Sequence, residues 1–263
     1  MTELRCADIA AALEERAPLQ LQEGYDNCGW QVGDPQRVCT GVLVCVDASP
    51  ERVDEAVARG CNMVVSHHPS LFSGLKSITG LTMVEQTVLR AIDKGVGIYA
   101  LHTALDNAPA PYGVSHVIAS RLGLRDVTPL DTRSGGGAIG SLPEPEEWEV
   151  FVERVKRAMR SPVVRSSDPD KRPGRRSVSR VALCGGSGSS MIDMAIAAGA
   201  DAYVTSDTSY HKFVDYAPRI LLADIGHFES EECTKSIIER IIREKFPNFA
   251  VQQSRETNPI LYL

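Results

Sequence analysis

Two hydrophobic patterns alternate along this chain. Short runs that are apolar almost throughout, GVLVCVD (41–47), CNMVVS (61–66) and GIYALHT (97–103), read as strands covered on both faces. Between them apolar residues recur at helical spacing. This predicts helices over 50–59, with Pro50 in the first turn and Gly60 at the end, and over 82–94, stopped by Gly95. A first helix is expected over 4–16 with Thr2 as its N-cap, and another over 114–122. The stretch EGYDNCGWQVGDP between the first helix and the first strand reads as a loop. Strand–helix–strand rounds of this kind pair in parallel.

The centre differs. Residues 131–147 carry three consecutive glycines and Pro143 and Pro145, as expected of a boundary or an edge excursion. A helix follows over 146–159, then a basic loop. A second round of βα units runs from RVALCGG through SGSSMIDMAIAAGA and AYVTSD to RILLADIG, with 215–217 in a short helix. A long helix over 229–246 and a terminal strand in AVQQSRETNPILYL close the chain. The expected class is α/β in two lobes: an N-terminal lobe over 1–130, a connecting segment over 131–180 and a C-terminal lobe over 181–263.

Composition adds exclusions. The net charge of −6 argues against a general polyanion binder such as a nucleic-acid protein. The one basic stretch, 165–180, reads as a solvated loop leading into a strand. The start of the chain has no long apolar run, so neither a signal peptide nor a membrane span is expected. Of the 7 cysteines, none forms a CxxC pair, and Cys39, Cys45, Cys61 and Cys184 fall in strand-like runs. They read as small hydrophobes in a reducing compartment, which places the protein in the cytoplasm.

The candidate chemistry gathers at strand ends, where ligand sites of such folds lie. Asp26-Asn27, Ser66-His67-His68-Pro69, His102-Thr103 with Asp106-Asn107, Ser206-Asp207 with His211, and His227 with Glu229 and Glu231 form five polar clusters. Only His116, of 6 histidines, lies outside them. Neighbouring residues of a strand face opposite ways, so His67 and His68 can share a site only if the strand ends there, and Pro69 supplies that end. Otherwise one is a ligand or base and the other structural. His227 and Glu231 sit four apart and can converge on one helical face; alternatively the glutamates simply charge the first helical turn. Asp106 is either a donor or part of the turn before Pro109. Imidazole and carboxylate donors without thiolate suit Zn, Fe, Mn, Ni or Co alike.

The motifs SHHPSLF, ALHTALDNAP, YVTSDTSYH and DIGHFESEE, preceded by YDNCGWQVGDP, resemble the Nif-three-like dinuclear metal-binding family, whose members include GTP cyclohydrolase I type 2 homologues. The resemblance runs from about Leu4 to the C-terminus. It implies two divalent metal ions held by His67, His68, Asp106, His227 and Glu231, and a toroidal homohexamer with its metal sites facing an inner cavity. The chain differs in placing Ser115 where the family often has Asn, and 131–180 is too short for the large inserted domain of some members, which makes this the compact form.

Three functions are weighed. The first is a metal-dependent hydrolase acting on a small molecule, either GTP or a phosphoester or cyclic amide. The second is a non-enzymatic metal-binding scaffold or regulatory protein. The third, a nucleic-acid binder using 165–180, runs against the acidic charge. No P-loop is present: CGGSGSS lacks the following Lys and Ser/Thr, and it reads as a tight turn or an anion cradle at a helix start. His211 is expected to act as a general acid or base or to support the metal site, oriented by Asp207 four residues earlier, whereas His102 reads as structural.

Overall fold

The computed structural model describes residues 3–172, 174 and 176–263. Its strands, in chain order, are β1 (Gly29–Val32), β2 (Val42–Cys45), β3 (Met63–Ser66), β4 (Gly97–Ala100), β5 (Arg125–Thr128) and β6 (Ala138–Glu147). They continue as β7 (Arg165–Ser166), β8 (Ser177–Leu183), β9 (Ala202–Thr205), β10 (Leu221–Asp224) and β11 (Val251–Gln253). The chain falls into two compact units: Met1–Ala108 with Thr234–Thr257, and Pro109–Cys233 with Asn258–Leu263.

The first unit holds a five-stranded sheet in the order β1-β4-β3-β2-β11. β11, β2, β3 and β4 run parallel, and β1 closes one edge antiparallel to β4. The apolar runs behave as expected: all four residues of β2 are fully buried. Leu43, Val64 and Ile98 pack with Val53 and Ala56 of the helix Pro50–Ala58 and with Val88 and Ala91 of the helix Met83–Lys94. Each such Val, Leu or Ile side chain contributes roughly 1.5–3 kcal/mol by leaving water. The helix Met83–Lys94 begins with Thr82 accepting from the amide of Glu85 and ends on Gly95 in the left-handed conformation.

The second unit holds a six-stranded sheet in the order β5-β6-β8-β9-β10-β7. β8, β9 and β10 are parallel, and β5, β6 and β7 add antiparallel pairings. Ala182, Tyr203 and Leu222 pack against Ile192 and Ala195 of the helix Ile192–Ala197.

Several expectations change. The segment 131–180 is no mere connector: it carries β6, the helix Trp148–Met159 and β7. Pro143 and Pro145 fall where the β6–β8 register shifts, between Ser141 and Glu146, so a strand accommodates them at an irregularity. The region 181–263 also divides differently, because β11 pairs with β2 in the first sheet. β1 lies in a stretch read as loop: only four residues long, it has too few positions to show a period. The long helix expected over 229–246 is two helices, His227–Glu231 and Cys233–Lys245. Ser230 Oγ donates back to the carbonyl of His227, a bond that bends helices. The first helix spans Cys6–Glu14 with Arg5 at the N-cap position, and Thr2 lies outside the described residues. The helix placed over 215–217 runs Tyr210–Tyr216.

Candidate metal centre

In the first unit the donors stand just beyond the ends of β3 and β4. The backbone ladder runs past β3: the amides of His67 and His68 donate to the carbonyls of Cys45 and Val46, and the amide of His102 donates to the carbonyl of His67. The two neighbouring histidines are therefore fixed at their backbones just beyond the end of β3. Their ring centroids lie 4.9 Å apart, and His102 lies 5.4 and 5.3 Å from them. One ring nitrogen from each of the three can be chosen so that all lie within 4.8 Å of one another. Asp106 closes the short helix His102–Asp106, and its Oδ1 is 3.8 Å from Nε2 of the fully buried His67. Two ligands about 2.0–2.2 Å from one zinc-like ion lie roughly 3–4 Å apart, so this spacing suits a shared ion.

Two of these imidazoles are held by carboxylates. Nδ1 of His68 is 2.8 Å from Oδ1 of Asp47, and Nδ1 of His102 is 2.7 Å from Oδ1 of Asp26. A carboxylate only accepts, so in the neutral rings Nδ1 carries the proton and Nε2 becomes the donor nitrogen. Asp26 is anchored in turn by the amide and hydroxyl of Thr103. Burial opposes its charge, but the hydrogen bonds from His102 and Thr103 outweigh that and hold its carboxyl well below the usual range. Cys28 approaches both Asp26 Oδ2 and the carbonyl of Leu101 at 3.2 Å. Burial, reinforced by the charge of Asp26, pushes its thiol up to about 12, so it is protonated at neutral pH and offers no thiolate.

In the second unit Gly226, with φ 84°, leads into the helix His227–Glu231. The i,i+4 spacing does what it predicted: Nε2 of His227 is 2.8 Å from Oε2 of the buried Glu231. Nδ1 of His227 meets Asp207 Oδ2 at 2.5 Å. Hydrogen bonding to Glu231 outweighs burial and, with Asp207, raises His227 to about 9. Two carboxylates around one imidazole make a place that attracts a cation.

The glycines of CGGSGSS serve this pair. Gly186 has φ 63°, and a Cβ there would overlap Oε1 of Glu231. Its amide donates to Ser230 Oγ, and that of Gly188 to Thr205 Oγ1. The amide of Gly185 reaches Ser115 Oγ at 3.4 Å, which shows what Ser115 contacts in this chain. With the amides of Gly185, Gly186 and Gly188 committed internally, the segment serves as a tight turn.

One expectation is corrected. Asp207 does not orient His211. It takes a left-handed conformation, φ 53°, after β9 and turns its carboxylate to His227. His211 instead lies exposed on the helix Tyr210–Tyr216, its ring beside Tyr210 at 5.4 Å. Among the described residues of the basic segment, Arg165 pairs with Asp224, Arg172 Nη1 donates to the carbonyl of Asp201, and Arg176 pairs with Asp170 and Glu149. Asp47 is the residue that sequence reasoning passed over. It ended the run GVLVCVD, and its only signal was an acid at the end of a buried strand.

These donors fit a divalent transition metal. They are imidazoles and carboxylates of the right hardness, oriented by further carboxylates as metal-binding histidines are.

The family model for Duf34/NIF3 (NGG1p interacting factor 3) matches residues 4–259. The chain is 30% identical over 262 residues to a GTP cyclohydrolase 1 type 2 homolog of Lactococcus lactis, covering 97% of this chain and 98% of that one. Among solved structures, a Bacillus cereus protein related to NIF3 superposes with a TM-score of 0.90 at 22% identity, covering 100% of both chains. The Staphylococcus aureus protein SA1388 gives 0.88 at 25% identity, covering 99% of each. The chain belongs to the Duf34/NIF3 family.

Proposed function

We propose that this protein binds two divalent metal ions through His67, His68 and Asp106 of the first unit and His227 and Glu231 of the second, and that it is a metal-dependent hydrolase. The observation that carries the reading is the carboxylate–histidine pairing itself: Asp47 with His68 and Asp207 with His227 set the ring nitrogens as ligands. When bound, such ions polarise a substrate oxygen and lower the pKa of water. The chain's own carboxylates, Asp47 and Asp207, hold the rings of His68 and His227 in one orientation. The relatives' name points to a nucleotide such as GTP as the substrate class to assay first. Zn, Fe, Mn, Ni and Co all remain in the proposal, because the donor set does not separate them.

A toroidal homohexamer in the cytoplasm belongs to the same proposal. Among the described residues no helix is long and apolar enough to cross a membrane. Light scattering should give six times the 28.6 kDa chain mass.

The decisive assay is turnover of GTP and model phosphoesters by metal-loaded protein, with Glu231→Ala as control. Metal-dependent turnover that Glu231→Ala abolishes supports the hydrolase. Full metal loading without turnover of any substrate assigns the protein to metal-binding scaffolds.

A further inference from the structure

Two thiols of the first unit are brought together by a short antiparallel bridge between residues 4–6 and 37–39. The amide of Cys6 donates to the carbonyl of Arg37 at 2.9 Å, and the amide of Cys39 donates to the carbonyl of Leu4 at 2.8 Å, which sets Arg5 opposite Val38. Side chains alternate across such a pair, so Cys6 and Cys39 share the face away from Arg5 and Val38, as diagonal neighbours. The burial agrees: Arg5 and Val38 are exposed, whereas Cys6 and Cys39 are only 1% and 5% exposed. The two thiols hydrogen-bond to each other. Cys61 is turned to other partners: its Sγ lies 3.8 Å from the carbonyl of Arg59 and 3.6 Å from Nε2 of Gln252. Packing alone would be met by small apolar side chains at both positions; two thiols in contact add a chemistry that packing does not use.

We propose that Cys6 and Cys39 are a modification site, where hydrogen peroxide produces a reversible disulfide that ties the start of the helix Cys6–Glu14 to the segment before β2. The Cys6 thiolate attacks one peroxide oxygen and the O–O bond breaks. Cys6 becomes a sulfenic acid, and the other oxygen leaves as hydroxide and takes up the proton the thiol gave up. Cys39 Sγ then attacks the Cys6 sulfur. The S–S bond forms, the S–O bond breaks, and the hydroxyl leaves with the Cys39 proton as a second water. Two thiols are oxidised by two electrons, and one peroxide is reduced to two waters. The order of attack follows from the surroundings. Cys6 is the first residue of its helix, where the dipole favours a thiolate. The hydrogen bond with Cys39, together with the charge of Arg37, outweighs burial and lowers the Cys6 thiol, whereas the same bond and burial push the Cys39 thiol up. Access comes by local opening. The amides of Cys6, Ala7 and Cys39 hold the two segments together through the carbonyls of Arg37, Pro35 and Leu4, and a bridge of one residue pair opens more readily than a ladder. The same looseness lets the sulfurs close from contact to the bonded distance of about 2.05 Å.

The test exposes full-length, fully reduced protein to hydrogen peroxide without denaturant. The remaining thiols are then blocked with N-ethylmaleimide in urea, and a non-reducing digest is read by mass spectrometry. Cys61→Ser and Cys39→Ser are treated alongside. The wild type and Cys61→Ser should each yield a cross-linked peptide joining Cys6 to Cys39, lighter than its two parts by the two hydrogens lost, and dithiothreitol should release it. Cys39→Ser should stop at the Cys6 sulfenic acid, trapped by dimedone. The wild-type result stands by itself if either variant fails to fold. If Cys6 and Cys39 both remain open to N-ethylmaleimide after peroxide treatment of the native protein, the proposal fails. A link that appears only when peroxide is added to urea-unfolded protein, or one that joins either thiol to Cys61 instead, overturns it equally.

Discussion

Gly186 gives Glu231 the space its carboxylate occupies: a side chain of even one carbon at position 186 would overlap Oε1. The glycine also holds φ 63°, a conformation that other residues enter at a cost. Gly186→Ala should therefore act on the donor pair His227–Glu231 rather than on the core. We expect metal affinity to fall at least tenfold, with a stability loss on the order of 1–2 kcal/mol from the strained backbone. Chelator competition and thermal unfolding on the same preparation check both. Unchanged affinity would show that Glu231 does not need the space, and would weaken its assignment as a ligand.

Glu85 predicts a pH dependence away from the donors. Its carboxylate accepts from the amide and hydroxyl of Thr79 and from the amide of Leu81, tying down the loop before the helix Met83–Lys94. These bonds lower its pKa to about 2. A depressed folded pKa means that the stabilisation is fully present above the unfolded value of 4.5 and is lost as pH falls through about 2. Amide exchange at Thr79 and Leu81, corrected for its intrinsic pH dependence, should stay protected at pH 5 and lose protection between about pH 4 and pH 2. Glu85→Gln should remove that dependence. A protected loop at pH 2 would contradict the clamp.

His211 supplies a negative expectation. Exposed beside Tyr210, and with Asp207 engaged by His227, it has no place in the donor set. His211→Ala should keep wild-type metal content and change stability by no more than about 0.5 kcal/mol, as surface changes do. Hydrolysis that falls by roughly 10²–10⁴-fold in this variant at full metal content would restore its acid–base role.

Much of this was legible in the sequence because buried parallel strands leave continuous apolar runs. Val42–Cys45, Met63–Ser66 and Gly97–Ala100 are such runs, and the polar residues that follow them mark the loops where donors gather. The four-residue spacing of His227 and Glu231 translated directly into a 2.8 Å approach. Long-range partnerships were not legible. Asp207 and His211 are also four apart, but the chain between them turns through a left-handed residue instead of a helix, and Asp207 pairs twenty residues away with His227. Nothing local distinguishes those two outcomes. The return of β11 to the first sheet was hidden for the same reason, since strand order is decided by packing between segments far apart in sequence.

The central claim is that donors in both units hold metal, and metal content tests it most directly. Purified wild-type protein should carry close to two equivalents of transition metal per chain by elemental analysis, and the double variant His67→Ala/His227→Ala, folded by circular dichroism, should carry close to none. Wild-type metal content in the folded double variant would contradict the account.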